Sequence, residues 1–306
     1  LLPTEPIYRR AWWKNLRWPA IAGRVLRRVE EVFDEEQPAA VLGTGGYASG
    51  PVVWWASRRG IPCAIQEQNA YPGLASRWLS RRVRHVYLGL PEARRMLRFG
   101  PDTEVFDTGN PITPPTPERR PEALRQFGLD GARPVVLVTG GSQGALPINR
   151  AVAGWIDTGA AGGLSVIWAT GRATYPEFAC RHRPPGVTVV DFLDPMADGY
   201  AVADLVVSRA GMITVAELCA WGLPSILIPL PTAAADHQTH NARVLAEAGA
   251  SLLLSQAELG AVRLGATIDG VLAAPGTLEG MAERARARGR PHAAAEIVSK
   301  LLTLLP

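Results

Sequence analysis

Residues 134–145 read Pro-Val-Val-Leu-Val-Thr-Gly-Gly-Ser-Gln-Gly-Ala, and the order of residue types in that stretch decides the fold. Its first half is a continuous apolar run, not an alternating one, which is how a strand buried on both faces of a parallel sheet reads. Its second half is a glycine-rich turn that opens a helical pattern. Glycines there let backbone amides approach a ligand closely, and a helix start adds free N–H groups and a positive dipole end, so a phosphate or diphosphate suits the place. A tight turn that binds nothing competes with this reading for an isolated glycine pair. The spacing is neither G-x-G-x-x-G nor a Walker loop.

The same pattern recurs outward from this stretch. Leu205-Val206-Val207-Ser208-Arg209 runs into Ala210-Gly211-Met212-Ile213-Thr214-Val215-Ala216-Glu217. Val215, Leu218, Cys219 and Gly222 share one helix face, while Thr214 and Glu217 share another near the helix start. Such a start can hold a diphosphate, with the carboxylate accepting from ribose hydroxyls; a capping box is the competing account of Glu217. Further on, Pro229-Leu230-Pro231 ends a strand, and Gln238 and Asn241, three apart, offer donors and acceptors for sugar hydroxyls. His237 and His240 share helical spacing but lack a third ligand, so no metal site is expected.

Two α/β units follow from the whole chain. In the first, strands are expected at 39–43, 62–66, 85–88 and 103–107, with helices at 47–59, 73–82 and 91–99. In the second, strands are expected at 134–139, 164–169, 187–192, 205–208, 225–229 and 251–254. Between them, Pro111, Pro114, Pro115, Pro117 and Pro121 break the rhythm, because proline lacks an amide donor and cannot continue a sheet interior. The expected division is 1–112, a linker at 113–133, and 134–306, each unit doubly wound and the two facing across a cleft. In the first unit, residues 43–51 (GTGGYASGP) and 66–69 (QEQN) place polar groups after neighbouring strands, where open α/β sheets hold ligands.

Composition narrows the classes. The 306 residues are 47% hydrophobic and 20% charged, a globular balance. No stretch approaches the roughly 20 apolar residues that span a bilayer, and no basic start followed by an apolar run marks a signal peptide. Cys63, Cys180 and Cys219 are scattered, which argues against a disulfide framework or zinc site and for reduced thiols. The net charge of +4 admits anionic lipid, phosphorylated ligands or nucleic acid, but no nucleic-acid-binding module is recognisable. Trp12, Trp13, Lys14, Arg17 and Trp18 suit an anionic lipid surface, and Trp54 and Trp55 could extend that patch. A half-buried amphipathic helix is the competing reading.

Taken together, GTGGYASGP (43–51), EQNAYPG (67–73), GNP (109–111), TGGSQGA (139–145), DFLDPM (191–196), SRAGMITVAE (208–217), GLPSILIP (222–229) and DHQTHNA (236–242) resemble the MurG family of glycosyltransferases over nearly the whole chain. The resemblance implies a GT-B fold with an incomplete first domain and a last helix that packs back on it. It also implies inverting transfer of N-acetylglucosamine from UDP to the C4 hydroxyl of the lipid-linked muramyl-pentapeptide lipid I, giving lipid II, without a cofactor or essential metal. On this analogy Gly141, Ser142 and Gln143 face the diphosphate, as does the helix start at Gly211, Met212, Ile213 and Thr214. Leu193 lies beside uracil, Glu217 binds ribose, and Gln238 with Asn241 reads the sugar hydroxyls. Gly46, Tyr47, Ser49, Glu67 and Asn69 are acceptor-side positions. The implied place is the cytoplasmic face of the bacterial inner membrane, with other cell-wall synthesis proteins as possible partners and no nucleic acid.

The chain departs from the family pattern at several points. It starts at Leu1, downstream of the family's first strand and GGTGGH loop, so a truncated N-terminus is expected and no catalytic base is assigned. Thr113 stands where many members have arginine, Gln66 where histidine is common, and Ser76 where asparagine is common. The competing functions are another GT-B transferase with a lipid acceptor, a UDP-N-acetylglucosamine 2-epimerase, and an inactive remnant.

Overall fold

Unalternated apolar runs become parallel strands throughout the computed structural model, which describes residues 18–305. Trp12, Trp13, Lys14 and Arg17 lie outside the described residues, as does the side chain of Trp18. The described residues form two units. One runs to Asn110 and resumes at His292; the other is Pro111–Pro291.

The first unit opens with α1 (Trp18–Glu36), then β1 (Val41–Gly43), α2 (Gly46–Arg58), β2 (Cys63–Glu67), α3 (Leu74–Leu79), β3 (His85–Leu88) and β4 (Glu104–Phe106). Its four strands pair in sequence order, all parallel. Ile21, Val25, Val29 and Phe33 recur every fourth residue of α1, so they line one face and pack with Val53 and Ala56 of α2. The helix expected at 91–99 is instead a 3₁₀ segment, Pro91–Met96. Ala93 is the only buried side chain in it, so there is no apolar face on which an α-helix could propagate.

The second unit starts where a bare linker was expected. Within 113–133 the chain forms α4 (Arg120–Gln126), which is part of this unit. Pro121 falls in the first helical turn, where a missing amide costs nothing, so the proline that reads as a breaker is a starter. After α4 the order is β5 (Val135–Thr139), α5 (Leu146–Asp157), β6 (Ser165–Ala169), α6 (Tyr175–Phe178), β7 (Val187–Val190), α7 (Met196–Val202) and β8 (Leu205–Ser208). Then come α8 (Met212–Trp221), β9 (Ser225–Leu227), α9 (His237–Glu247), β10 (Ser251–Leu253), α10 (Ala261–Ala273) and α11 (Thr277–Arg288).

The strands lie in the order β10-β9-β8-β5-β6-β7. The winding therefore reverses between β5 and β8, the switch point at which open α/β sheets bind ligands. Register sharpens this. Val190, Ala169, Thr139, Ser208, Leu227 and Leu253 form one row across the sheet, so the turns after these strands leave from one edge.

The last helix, α12 (Ala293–Leu302), belongs to the first unit, where Ile297 packs with Ala64 and Tyr87 and the Lys300 ammonium lies 4.7 Å from the Phe106 ring centroid. Among the described residues no helix is long and apolar enough to cross a membrane.

The α4 segment grips α7 through its side chains. Arg119 Nε donates to Asp198 Oδ1 (2.5 Å), and Arg120 Nη1 donates to the Ala201 carbonyl (3.0 Å). Asp198 is buried, so removing Arg119 leaves a carboxylate in the interior without its cation, whereas an asparagine at 198 still accepts the bond. Urea unfolding is expected to give a lower midpoint for Arg119→Ala than for Asp198→Asn; the reverse order would mean that the pair does not hold α7.

Candidate active site

The turn after β5 is built almost entirely of backbone. Gly141 (φ +83°) and Gly144 (φ +72°) take left-handed conformations that suit glycine. Thr139 Oγ1 accepts the Gly141 amide (3.2 Å), and the Gly141 carbonyl accepts the Gly144 amide (2.9 Å). A Cβ on residue 144 would lie 2.2 Å from the Thr170 carbonyl oxygen. The turn is thus pressed onto the end of β6, with Gly141, Ser142 and Gln143 exposed at its tip. No side chain caps the start of α5.

Asn149 holds the turn from below, a role its sequence context does not announce. It is fully buried on α5 and donates to the Thr170 carbonyl (2.7 Å) and Thr174 Oγ1 (3.1 Å), while its own oxygen accepts from Trp168 Nε1 (3.0 Å). The only signal in the sequence is an asparagine on the apolar face of a helix, and such a residue must be satisfied internally.

The second turn follows β8, next to the first. Gly211 is the N-cap of α8 and provides no side-chain cap, so the amides at Met212, Ile213 and Thr214 open toward the same edge. Met212 is buried, Thr214 half-buried and Ile213 exposed. Glu217 stands in the second turn, where the capping-box reading fails: its Oε2 accepts from the Tyr200 hydroxyl (2.9 Å), not from the helix's own amides. Burial pushes the Glu217 carboxyl up, and the Tyr200 hydrogen bond works against that rise. Burial, and then the charge of Glu217, hold the Tyr200 phenol well above its ordinary value. Tyr200 therefore stays a donor at any physiological pH.

Arg209, between Ser208 and this turn, is nearly buried. It donates from Nη1 to the Ile228 and Pro229 carbonyls (both 3.1 Å) and from Nη2 to Gln256 Oε1 (2.7 Å). One planar guanidinium thereby fixes the chain leaving β9 against the end of β8.

On the third segment Gln238 and Asn241 part company. Gln238 is half-buried, and its Oε1 accepts the Leu230 amide (2.9 Å), which orients the side chain and leaves its NH₂ group to donate elsewhere. Asn241 is fully buried, and its Nδ2 donates to the Ala210 carbonyl (3.3 Å), so it sits beneath the second turn and ties α9 to it. Leu193 is buried beside Gly199, and its neighbour Phe192 is exposed, with the Arg172 guanidinium 5.1 Å from its ring centroid. His237 Nδ1 lies 2.6 Å from the Ala234 carbonyl oxygen. Among the described residues, three or more His, Cys, Asp or Glu side chains nowhere cluster as a metal site would need.

In the first unit, Gly45 (φ +95°) and Gly46 (φ +75°) open α2, Ser49 Oγ donates to the Gly45 carbonyl (2.6 Å), and Tyr47 is exposed. Glu67 is buried, and its two oxygens accept the amides of Asn69 and Gly73 (both 3.0 Å), so it shapes the 68–73 loop that presents Asn69. Gln66, where the family often has histidine, donates to Asn110 Oδ1 (2.7 Å), and Asn110 in turn donates to the Gln68 carbonyl (3.1 Å). Ser76 is buried and Thr113 exposed.

Comparison with known proteins identifies the family of both units. Residues 135–297 match the glycosyltransferase family 28 C-terminal domain and residues 1–88 its N-terminal domain. A UDP-N-acetylglucosamine–N-acetylmuramyl-(pentapeptide) pyrophosphoryl-undecaprenol N-acetylglucosamine transferase of Porphyromonas gingivalis is 38% identical, over 99% of this chain and 81% of the relative. The enzyme of the same name from Chlorobaculum tepidum is 41% identical over 88% of this chain and 74% of its own length. The crystal structure of MurG from Acinetobacter baumannii superposes with a TM-score of 0.75 at 26% identity, covering 93% of this chain and 79% of that one.

The two glycines of the first turn separate conformational strain from steric clash. Gly141→Ala adds a Cβ in open space and should cost only the left-handed penalty of about 1–2 kcal/mol. Gly144→Ala adds overpacking against a backbone carbonyl, about 1–3 kcal/mol more. Urea denaturation of both variants checks the ranking, and equal costs would remove the argument for a pinned turn.

Proposed function

The chain belongs to the MurG group of glycosyltransferase family 28, and from that premise we propose how its two units carry out the group's reaction. It transfers N-acetylglucosamine from UDP-N-acetylglucosamine to a lipid-linked acceptor, N-acetylmuramyl-(pentapeptide) pyrophosphoryl-undecaprenol, on a GT-B fold. The observation that carries the donor assignment is the pair of uncapped turns at the β5/β8 switch point with Glu217 one turn into α8.

In this reading the diphosphate rests on the amides around Gly141, Ser142 and Gln143 and on those at Met212, Ile213 and Thr214. Glu217 takes the ribose hydroxyls, the Gln238 NH₂ group donates to the sugar, and uracil lies beside Leu193. As the acceptor C4 oxygen bonds to the anomeric carbon, the bond to the diphosphate breaks and negative charge grows on the departing UDP. Amides of the glycine turn after β5 and of the α8 start meet that charge without reorganising, which makes an essential metal unnecessary. The hydroxyl proton passes to a base that none of the described residues is assigned to supply.

The lipid end of the acceptor calls for a membrane-facing surface, and an aromatic cluster on the first unit supports placing it there. Trp54 and Trp78 stack (6.4 Å between centroids, 18° between planes), with the guanidiniums of Arg58 and Arg82 over them at 5.6 and 4.9 Å. Trp78 and its neighbour Leu74 are exposed, and neither stands out in the sequence. Trp55 turns elsewhere: Arg59, which covers it at 5.1 Å, pairs with Glu30 and Asp34. Aromatic rings ringed by arginines suit the headgroup layer of an anionic leaflet, so the reading is a peripheral protein on the cytoplasmic face.

Two measurements check these assignments. UDP-N-acetylglucosamine at about 100 times its dissociation constant should stabilise the chain by roughly 2.7 kcal/mol, UDP-glucose less, and Gln238→Ala should narrow the gap between them. With the lipid-linked muramyl-pentapeptide also present, labelled sugar should move to lipid; consumption of the donor without acceptor would point to an epimerase instead. For the surface, Trp78→Ala and Leu74→Ala should each lower sedimentation with phosphatidylglycerol vesicles, and salt should lower it further. Unchanged sedimentation would move the membrane contact away from this face.

A further inference from the structure

Tyr200 lies on α7, outside every segment that suggests donor contact, yet its hydroxyl reaches Glu217 Oε2 at 2.9 Å. The ring is 3% exposed and sits 6.0 Å from the Trp221 ring, so the phenol is held from its sides as well as at its tip. The helix beneath it is gripped on either side of the tyrosine, at Asp198 by Arg119 and at the Ala201 carbonyl by Arg120. Glu217, by contrast, is in no ion pair among the described residues. A half-buried carboxylate without a cation has several rotamers open to it. The phenol's single proton removes that freedom by binding one oxygen and leaving Oε1 for a ligand.

We infer that Tyr200 is a positioning residue that sets the donor site's preference for a ribonucleotide, by holding the Glu217 carboxylate in the one orientation that accepts from a cis-diol. The inference rests on the reading that Glu217 meets the ribose. A vicinal diol presents two donors on one edge, and an ionised carboxylate fixed in direction accepts from both without losing rotamer entropy at the moment of binding. A carboxylate released from Tyr200 has to be ordered by the ligand itself. The loss therefore falls on ligands that carry the hydroxyls and spares those that lack them.

The test compares UDP-N-acetylglucosamine with its 2′,3′-dideoxyuridine counterpart on the wild-type chain, Tyr200→Phe, Glu217→Gln and the double variant, by titration calorimetry and by steady-state transfer. Tyr200→Phe is expected to weaken the ribonucleotide about tenfold, the scale of a hydrogen bond to a charged group, and to leave the dideoxy compound unchanged. KM should rise by the same factor while kcat stays within about twofold, a split that a merely structural role does not produce. Glu217→Gln should lower the discrimination at least as far, and the double variant no further. If Glu217→Gln abolishes discrimination while Tyr200→Phe keeps the wild-type ratio, the positioning role is overturned and the ribose assignment stands. If neither variant changes the ratio, the ribose assignment itself falls and this inference with it.

A measurement that leaves the tyrosine ring in place covers the case in which Tyr200→Phe does not fold. The fluorine resonance of 3-fluorotyrosine placed at position 200 should shift on binding the ribonucleotide and not on binding the dideoxy compound. Equal responses to the two would overturn the inference.

Discussion

The carbonyl oxygen of Thr170 stands where residue 144 would carry a Cβ, and the donor end of the second unit is arranged around that contact. Because Gly144 and Gly140 can have no side chains there, the turn between β5 and α5 folds flat against the end of β6, and its amides become the surface. Asn149 keeps the two loops at this distance by binding the same Thr170 carbonyl from inside, and Trp168 keeps Asn149 in place. The common row of strand ends sets the second turn beside the first. The proposed anion site is thus a consequence of sheet register and one close approach, with few side chains dedicated to it. In that reading charge is met by dipoles that are already oriented, which is the arrangement that helps a leaving diphosphate most.

Glu217 is a carboxylate in this backbone-built edge, and its energetics run against stability. Its carboxyl is raised in the folded state, mainly by burial. The protonated form is then relatively favoured by folding, so this group's contribution is most favourable below its unfolded value and is lost as pH rises through the folded one. At neutral pH the ionised carboxylate therefore costs stability. The Tyr200 bond limits that cost without removing it, and the packing of α7 and α8 has to cover the rest. A carboxylate kept at a net cost is what a binding role predicts and what a purely structural role does not.

How much of this was legible depended on whether a feature lay along the chain or across it. Strands were legible because burial on both faces leaves unbroken runs such as 135–138 and 225–228. The switch point was legible only as two glycine turns, since adjacency of β5 and β8 is a pairing that spans some seventy residues. The segment at 113–133 was misread because proline at a helix start looks the same as proline in a linker. Glu217 was visible by its place after Gly211, but Tyr200 was not, because nothing in a spacing of seventeen residues says that two helices will bring them together. The Asn241 bond to the Ala210 carbonyl was hidden for a related reason, because periodicity puts Asn241 near the second turn but does not say how α9 lies against Ala210.

The two units use their carboxylates alike, which bears on where the reaction's proton can go. Glu67 has an amide on each oxygen, and turning it toward a substrate would release both Asn69 and Gly73 and dissolve the loop that presents Asn69. Glu217 is bound at one oxygen by Tyr200, and its other oxygen is the one assigned to ribose. A general base has to reach the proton it removes and must be free to take it. Both carboxylates are committed, Glu67 to the 68–73 loop and Glu217 to Tyr200 and, in the proposed reading, to the ribose. The described donor and acceptor edges are therefore built to bind and orient. In such a site, rate comes first from holding the acceptor hydroxyl in line with the anomeric carbon, and from amides that wait for the diphosphate's charge.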